Sequence, residues 1–350
     1  MFEGTRSVGI PTFDSVNGRM MEGPGGCSLV EIRMRDWQRL SIFRSYTHPY
    51  MDRPNLTVLT SALVTRLIFE GRRVSAVEFT YQDKVHRIGA GLEVVLSLGA
   101  INTPKVLMLS GVGDQAELHR FGIPLVEHLP GVGQNFQDHV ALPGMIWECH
   151  GDEPDAIFHW FARSDSSLDT PDLQTTQAPL ERTGLKKVNP TLPASGWIMI
   201  PAVIRTKSRG RVRLTGPGPL DPADIESNLL SDPDDLKALI AVVELCREIA
   251  NSSALRPFFK QEVVPGNIKG PGLENYLRNN AISWWHQTCT AKMGRDSLSV
   301  VDANLKVYGI ENLRIADGSI MPRVTTGNTM APCVIIGERA AEAIRTAYKL

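Results

Sequence analysis

WWHQTCTAKMG (residues 284–294) and GNTMAP (residues 327–332) bracket the part of this chain whose reading decides the fold. Between them runs SVVDANLKVYGIENLRIADGSIMP (residues 299–322). Its LRIA reads as a strand that ends on a turn at Asp317–Gly318. After GNTMAP the chain closes on PCVIIGERAAEAIRTAY, a helical pattern opened by Pro332. His286 stands beside Trp285, and Asn328 stands just ahead of that last helix. Taken alone, each has a bland reading: a hydrogen-bonded core imidazole and a turn-capping amide.

Outward from this stretch, the texture changes by region. Residues 1–50 are polar, Gly-rich and irregular, and GPGG (residues 23–26) follows no apolar strand, so it reads as a loop. From residue 55 to 98, LTVLT, ALVTRLIF, RVSAVEFTY and EVVLSL are short β-branched runs, which predict a hairpin-rich sheet. TPKVLML predicts a short helix with Thr103 as N-cap and Pro104 at its first position. Between residues 140 and 285, strand-like GWIMIPAVI and RVRLTG alternate with polar connectors. One strong helix starts at Asp232 as N-cap and Pro233, with Leu236, Leu239, Ile240, Val243 and Leu245 at helical spacing.

Composition bounds the partners. The 350 residues carry 42% hydrophobic and 21% charged residues, ordinary for a globular chain with room for two cores. Net charge is −1 with no basic block, which argues against nucleic acid. No run of eighteen apolar residues is present, so no membrane span is expected. The N-terminus lacks the pattern of a signal peptide. Cys27, Cys149, Cys246, Cys289 and Cys333 are scattered and odd in number, which favours a reducing, cytoplasmic setting and no metal site.

The bracketed stretch closely resembles the C-terminal signature of the glucose–methanol–choline (GMC) family of flavin-dependent alcohol oxidoreductases. FEGTRSVGIP, RPNLTV, LSLGAINTPKVLMLSGVG and PGVGQNFQDH resemble successive earlier segments of that family, in order. The resemblance implies that His286 is the base that takes the hydroxyl proton of an alcohol, with Asn328 as its partner, while the carbon gives hydride to FAD. Imidazole suits the first task, and a second hydrogen-bonding side chain helps to orient an alkoxide. It also implies cofactor contacts at Val64, Trp285, Asp317, Gly318, Thr329 and Met330, with the last helix aiming its positive end at the flavin. His139, in NFQDH, reads as structural.

One absence sets further expectations. No G-x-G-x-x-G follows a strand anywhere in the chain. On that ground the sequence predicts the C-terminal portion of such an enzyme, lacking the N-terminal FAD-binding Rossmann half. The predicted fold is mixed α/β: a truncated FAD domain plus a substrate domain with an antiparallel sheet. Residues 1–139 would be the partial FAD domain, 140–285 the substrate domain, and 286–350 the return to the FAD domain. Weak FAD binding by the chain alone follows, as does a partner chain supplying the missing half. The stretch between NFQDH and PDLQ (residues 171–174) reads as shorter than usual for the family. The competing expectation is a flavin-free, non-redox protein on the same scaffold.

Overall fold

The computed structural model describes residues 1–151 and 156–350. Its largest element is an eight-stranded sheet, antiparallel throughout. Gly196–Val203 lies at its centre and pairs on one side with Leu173–Pro179, which pairs in turn with Phe158–Ala162 and then Gly26–Leu29. On its other side it pairs with Val140–Ala141 and Met145–Cys149, which hold Ile282–Ser283 and Phe259–Val264 respectively.

The sheet has two working faces, because side chains alternate along each strand. One face presents Trp147, Trp160, Leu173, Trp197 and Met199 to the helix Pro233–Ala250, which answers with Leu236, Leu239, Val242, Val243 and Cys246. That helix starts as the sequence predicts. Asp232 accepts a hydrogen bond from the Asp234 N–H at 2.9 Å, and Pro233 follows the cap. Phe161, Ala141 and Ala202 belong to a separate small cluster with Met20 and the half-buried Trp284. Trp284 places that cluster two residues from His286.

A second core forms around other elements. Leu63–Glu70, Arg73–Tyr81 and Lys84–Gly89 make a three-stranded antiparallel hairpin sheet. Val94–Leu96 pairs in parallel with Leu313–Ile315, across more than two hundred residues of chain. The helix Gly99–Leu109 packs between them, so that Leu67, Leu96, Leu107, Leu313, Ile315 and Ile320 share one cluster. Asn312 ties the hairpin to the returning chain: its Oδ1 accepts from Val74 N at 3.0 Å and its Nδ2 donates to Val74 O at 2.9 Å.

Three local expectations are corrected. The helix predicted to have Pro104 as its first residue starts five residues earlier, at Gly99, and Pro104 lies inside it. Proline there leaves the Ala100 carbonyl without its helical partner. The buried Thr290 hydroxyl donates to that carbonyl at 2.6 Å instead. The GPGG stretch is the loop that the sequence predicts. It turns into the edge strand Gly26–Leu29, and Gly25 (φ +97°) lies so close to the Phe161 carbonyl that a Cβ there would sit 2.1 Å from the oxygen. The LTVLT run forms no strand; the strand begins at Leu63. The last helix spans Met330–Tyr348, two residues longer at its start than Pro332 suggests.

Candidate active site

His286 follows a tight backbone turn. Trp285 adopts φ +58°, a left-handed conformation that leaves its indole 71% exposed, tilted against Trp284 with ring centroids 5.5 Å apart. The turn is held by one carboxylate. Asp138 Oδ1 accepts from the His286 backbone N–H at 2.9 Å, and its Oδ2 accepts from the Ser283 hydroxyl. Ser283 Oγ in turn accepts from Trp285 N at 3.1 Å and Gln287 Nε2 at 2.8 Å. Burial raises the Asp138 carboxyl above its ordinary value, and these hydrogen bonds oppose the rise.

The His286 ring is held at both nitrogens. Its Nε2 lies 3.1 Å from Asn328 Nδ2, and its Nδ1 lies 2.9 Å from His139 Nδ1. His139 Nε2 lies 3.0 Å from the Thr325 carbonyl oxygen. Sequence reading put His139 aside as structural. The structure sets its ring against His286 at a centroid distance of 4.7 Å. The available signal was the Asp138–His139 dipeptide itself, a carboxylate and an imidazole side by side in one quoted segment.

Desolvation governs both imidazoles. Burial pushes His286 down to about 4, and it pushes His139, aided by repulsion from His286, down to about 3. Both values lie well below the imidazole reference of about 6.5, so both rings are held neutral near neutral pH. Asn328 is placed by Gly327, whose φ of +77° and contact with Met21 leave no room for a side chain: a Cβ would stand 2.8 Å from Met21 Sδ.

The other candidate residues divide. Thr329 caps the last helix without a side-chain bond, and Met330 and Ala331 are exposed, so the helix opens its first N–H groups beside Asn328. Met330 Sδ is also met by Arg33 Nη1 at 3.5 Å. Gly318 is buried against this same helix, 3.4 Å from Cys333 Sγ measured from an added Cβ. The Asp317 carboxylate is consumed within the protein. It accepts from Gly99 N at 2.9 Å, Thr103 Oγ1 at 2.6 Å and Ser319 N at 2.7 Å. Val64 is not part of the His286 cluster; it pairs with Phe79 in the hairpin sheet, against which the helix Gly99–Leu109 also packs. Among the described residues no group of three or more His, Cys, Asp or Glu could hold a metal ion, and no helix is long and apolar enough to cross a membrane.

Comparison with known proteins gives the arrangement its context. Two sequence profiles described as GMC oxidoreductase match, the N-terminal one over residues 1–141 and the C-terminal one over residues 206–337. Human mitochondrial choline dehydrogenase is 35% identical over 98% of this chain and 62% of its own length. An alcohol dehydrogenase [acceptor] of Pseudomonas putida is 36% identical over 94% of this chain and 64% of its own. The chain thus spans a little under two thirds of these relatives. The crystal structure of pyridoxine 4-oxidase from Mesorbium loti superposes with a TM-score of 0.88, at 27% identity, over 97% of this chain and 68% of that one. The expectation of a C-terminal portion without the N-terminal half is therefore corrected: residues 1–141 themselves match the N-terminal domain. The absence of one glycine-rich loop says nothing about the rest of a domain, and segments such as FEGTRSVGIP and LSLGAINTP already carried that match. A truncated FAD domain, and a partner chain to complete it, lose their ground with it.

Proposed function

Because this chain belongs to the GMC oxidoreductase family, we propose that it oxidises the CH–OH group of a small alcohol, with FAD as hydride acceptor. The observation that carries the reading is the pair itself: His286 Nε2 beside Asn328 Nδ2, ahead of the open end of the last helix. The residues present fit the ring end of FAD. Ser319 Oγ and Thr325 Oγ1 are buried without hydrogen-bond partners near this helix end, and the helix N-terminus offers N–H groups to an electron-rich edge. Trp285, the backbone of Asp317 and Gly318, Thr329 and Met330 would hold that end, and the backbone at Val64 the far end. Bound FAD supplies the hydride acceptor.

The chain's own residues do the rest. The substrate hydroxyl donates to His286 Nε2, which takes the proton as the carbon–hydrogen bond breaks. The Asn328 amide N–H turns from His286 to the substrate oxygen, where negative charge develops. Burial of His286 keeps it neutral and ready to accept. The names of the relatives support an alcohol as the donor, and this favours the redox reading over a flavin-free one. The domain division goes with this reading: residues 1–139 and 286–350 on the flavin side, 140–285 on the substrate side. Elements cross this division in both directions: Gly26–Leu29 pairs within the large sheet and Phe2–Ser7 packs on the helix Pro233–Ala250, while Arg211–Leu214 packs on the helix Gly99–Leu109 with Leu214 in the second core. Cytoplasmic location is part of the same proposal; Cys27, Cys246, Cys289 and Cys333 form no disulfide.

The test is turnover of a panel of primary and secondary alcohols with an artificial electron acceptor, alongside flavin analysis of the purified protein. Alcohol-dependent reduction of bound flavin is expected. Flavin-loaded protein that no alcohol reduces would defeat the proposal.

A further inference from the structure

We propose that the Thr325 carbonyl, acting through His139, sets the tautomer of His286, so that Nδ1 carries the proton and Nε2 presents its lone pair. This makes His139 a positioning residue for the base named above, and its functional part rests on that assignment. The argument follows the protons. A carbonyl oxygen only accepts, so the 3.0 Å contact with Thr325 O requires His139 Nε2 to be N–H. His139 is fully buried and faces a second imidazole, so it stays neutral, and its Nδ1 is bare. Two bare nitrogens do not approach to 2.9 Å; the proton between the rings therefore belongs to His286 Nδ1. A neutral His286 then has a bare Nε2, and Asn328 meets it with its NH2 group at 3.1 Å.

The opposite arrangement fails on charge. It needs His139 doubly protonated in the core. The nearby Asp138 carboxylate already accepts from the His286 backbone and from Ser283, and no hydrogen bond runs from it to the His139 ring. The consequence for catalysis is specific. When His286 takes a proton at Nε2, its Nδ1–H keeps donating to His139, now as a charge-assisted bond. The proton goes no further, because His139 Nε2–H faces a carbonyl that cannot release it. A carboxylate does the analogous job in a Ser-His-Asp triad; here a neutral ring anchored on the backbone does it.

The test is nitrogen-15 NMR of histidine-labelled protein near neutral pH, with signals assigned through His139→Phe and His286→Ala. Protonated and bare ring nitrogens give separate signals. The expected result is N–H at Nδ1 and a bare Nε2 for His286, with the reverse for His139. N–H at His286 Nε2, or a doubly protonated His139, overturns the proposal. In flavin-loaded His139→Phe, His286 should leave its single tautomer and kcat should fall at least tenfold with flavin content unchanged; an unaltered His286 spectrum and parent kcat overturn it. If the variant does not fold, the parent spectrum, assigned through His286→Ala, still decides. The two readings separate cleanly. Expected tautomers with parent-rate turnover by His286→Ala would leave the tautomer assignment standing and sink the base assignment.

Discussion

Asn328 reaches His286 across 42 residues of sequence, and His139 reaches it across 147. That difference explains which was legible. His286 and Asn328 lie in two motifs close enough to be read together. His139 sits in a different segment, where the adjacent Asp138 is the one local signal and does not by itself place the ring beside His286. Two outcomes test the pair. With flavin loaded, His286→Ala should lower alcohol turnover by roughly 10²–10⁴-fold, the usual weight of a positioned acid–base group. Asn328→Ala should cost less, since it removes one hydrogen bond and not the proton acceptor. Rates under saturating acceptor check both, and a larger loss in Asn328→Ala than in His286→Ala would show that His286 is not the proton acceptor. Because burial holds His286 at about 4, the acid limb of the rate profile should fall below neutral imidazole's reference of about 6.5.

Elements were legible where the signal was local. Asp232 and Pro233 start their helix as capping chemistry requires, and the strands Leu63–Glu70, Arg73–Tyr81 and Gly196–Val203 follow β-branched runs. The helix Gly99–Leu109 was misread because its proline is tolerated through a distant partner. Thr290, 190 residues away, supplies the donor that the Ala100 carbonyl lacks, and Thr103, inside the helix and not its N-cap, donates to Asp317 and accepts from Leu98 N at the helix start. Proline rules alone place a start at such a site. Thr290→Val keeps the shape and removes the hydroxyl, which leaves a buried carbonyl unpaired. The expected cost is about 1–3 kcal/mol of stability, measured by urea unfolding. A midpoint equal to the parent's would mean that water or a backbone shift satisfies that carbonyl, and that the helix does not depend on Thr290.

At the scale of the whole molecule, the chain returns: residues 313–315 pair with 94–96, and 282–283 pair with 140–141. Pairings so far apart leave no periodicity in the sequence, so the mixed α/β class was legible while the strand order was not. The same returns bury the histidine pair between elements, and burial makes stability depend on pH. Both rings have folded-state values below the unfolded reference, about 4 for His286 and about 3 for His139. As pH falls below about 6.5, the unfolded chain takes up protons at these two sites and the folded one does not. Stability is therefore lost from about 6.5 down to about 4 for His286 and about 3 for His139, and the loss from each ring levels off below its folded value. Each unit of depression is worth about 1.4 kcal/mol, so the fully buried His139 alone accounts for a few kcal/mol. Carboxylates also titrate at the lower end of this range, so the comparison has to be internal. Urea midpoints of the parent and of His139→Phe, measured from pH 7 to pH 4, isolate the ring. The parent should lose more stability than the variant over that window, with a gap between them that changes steadily as pH falls. Parallel curves would show that His139 takes up its proton in the folded protein as readily as in the unfolded chain, and that its burial does not hold it neutral.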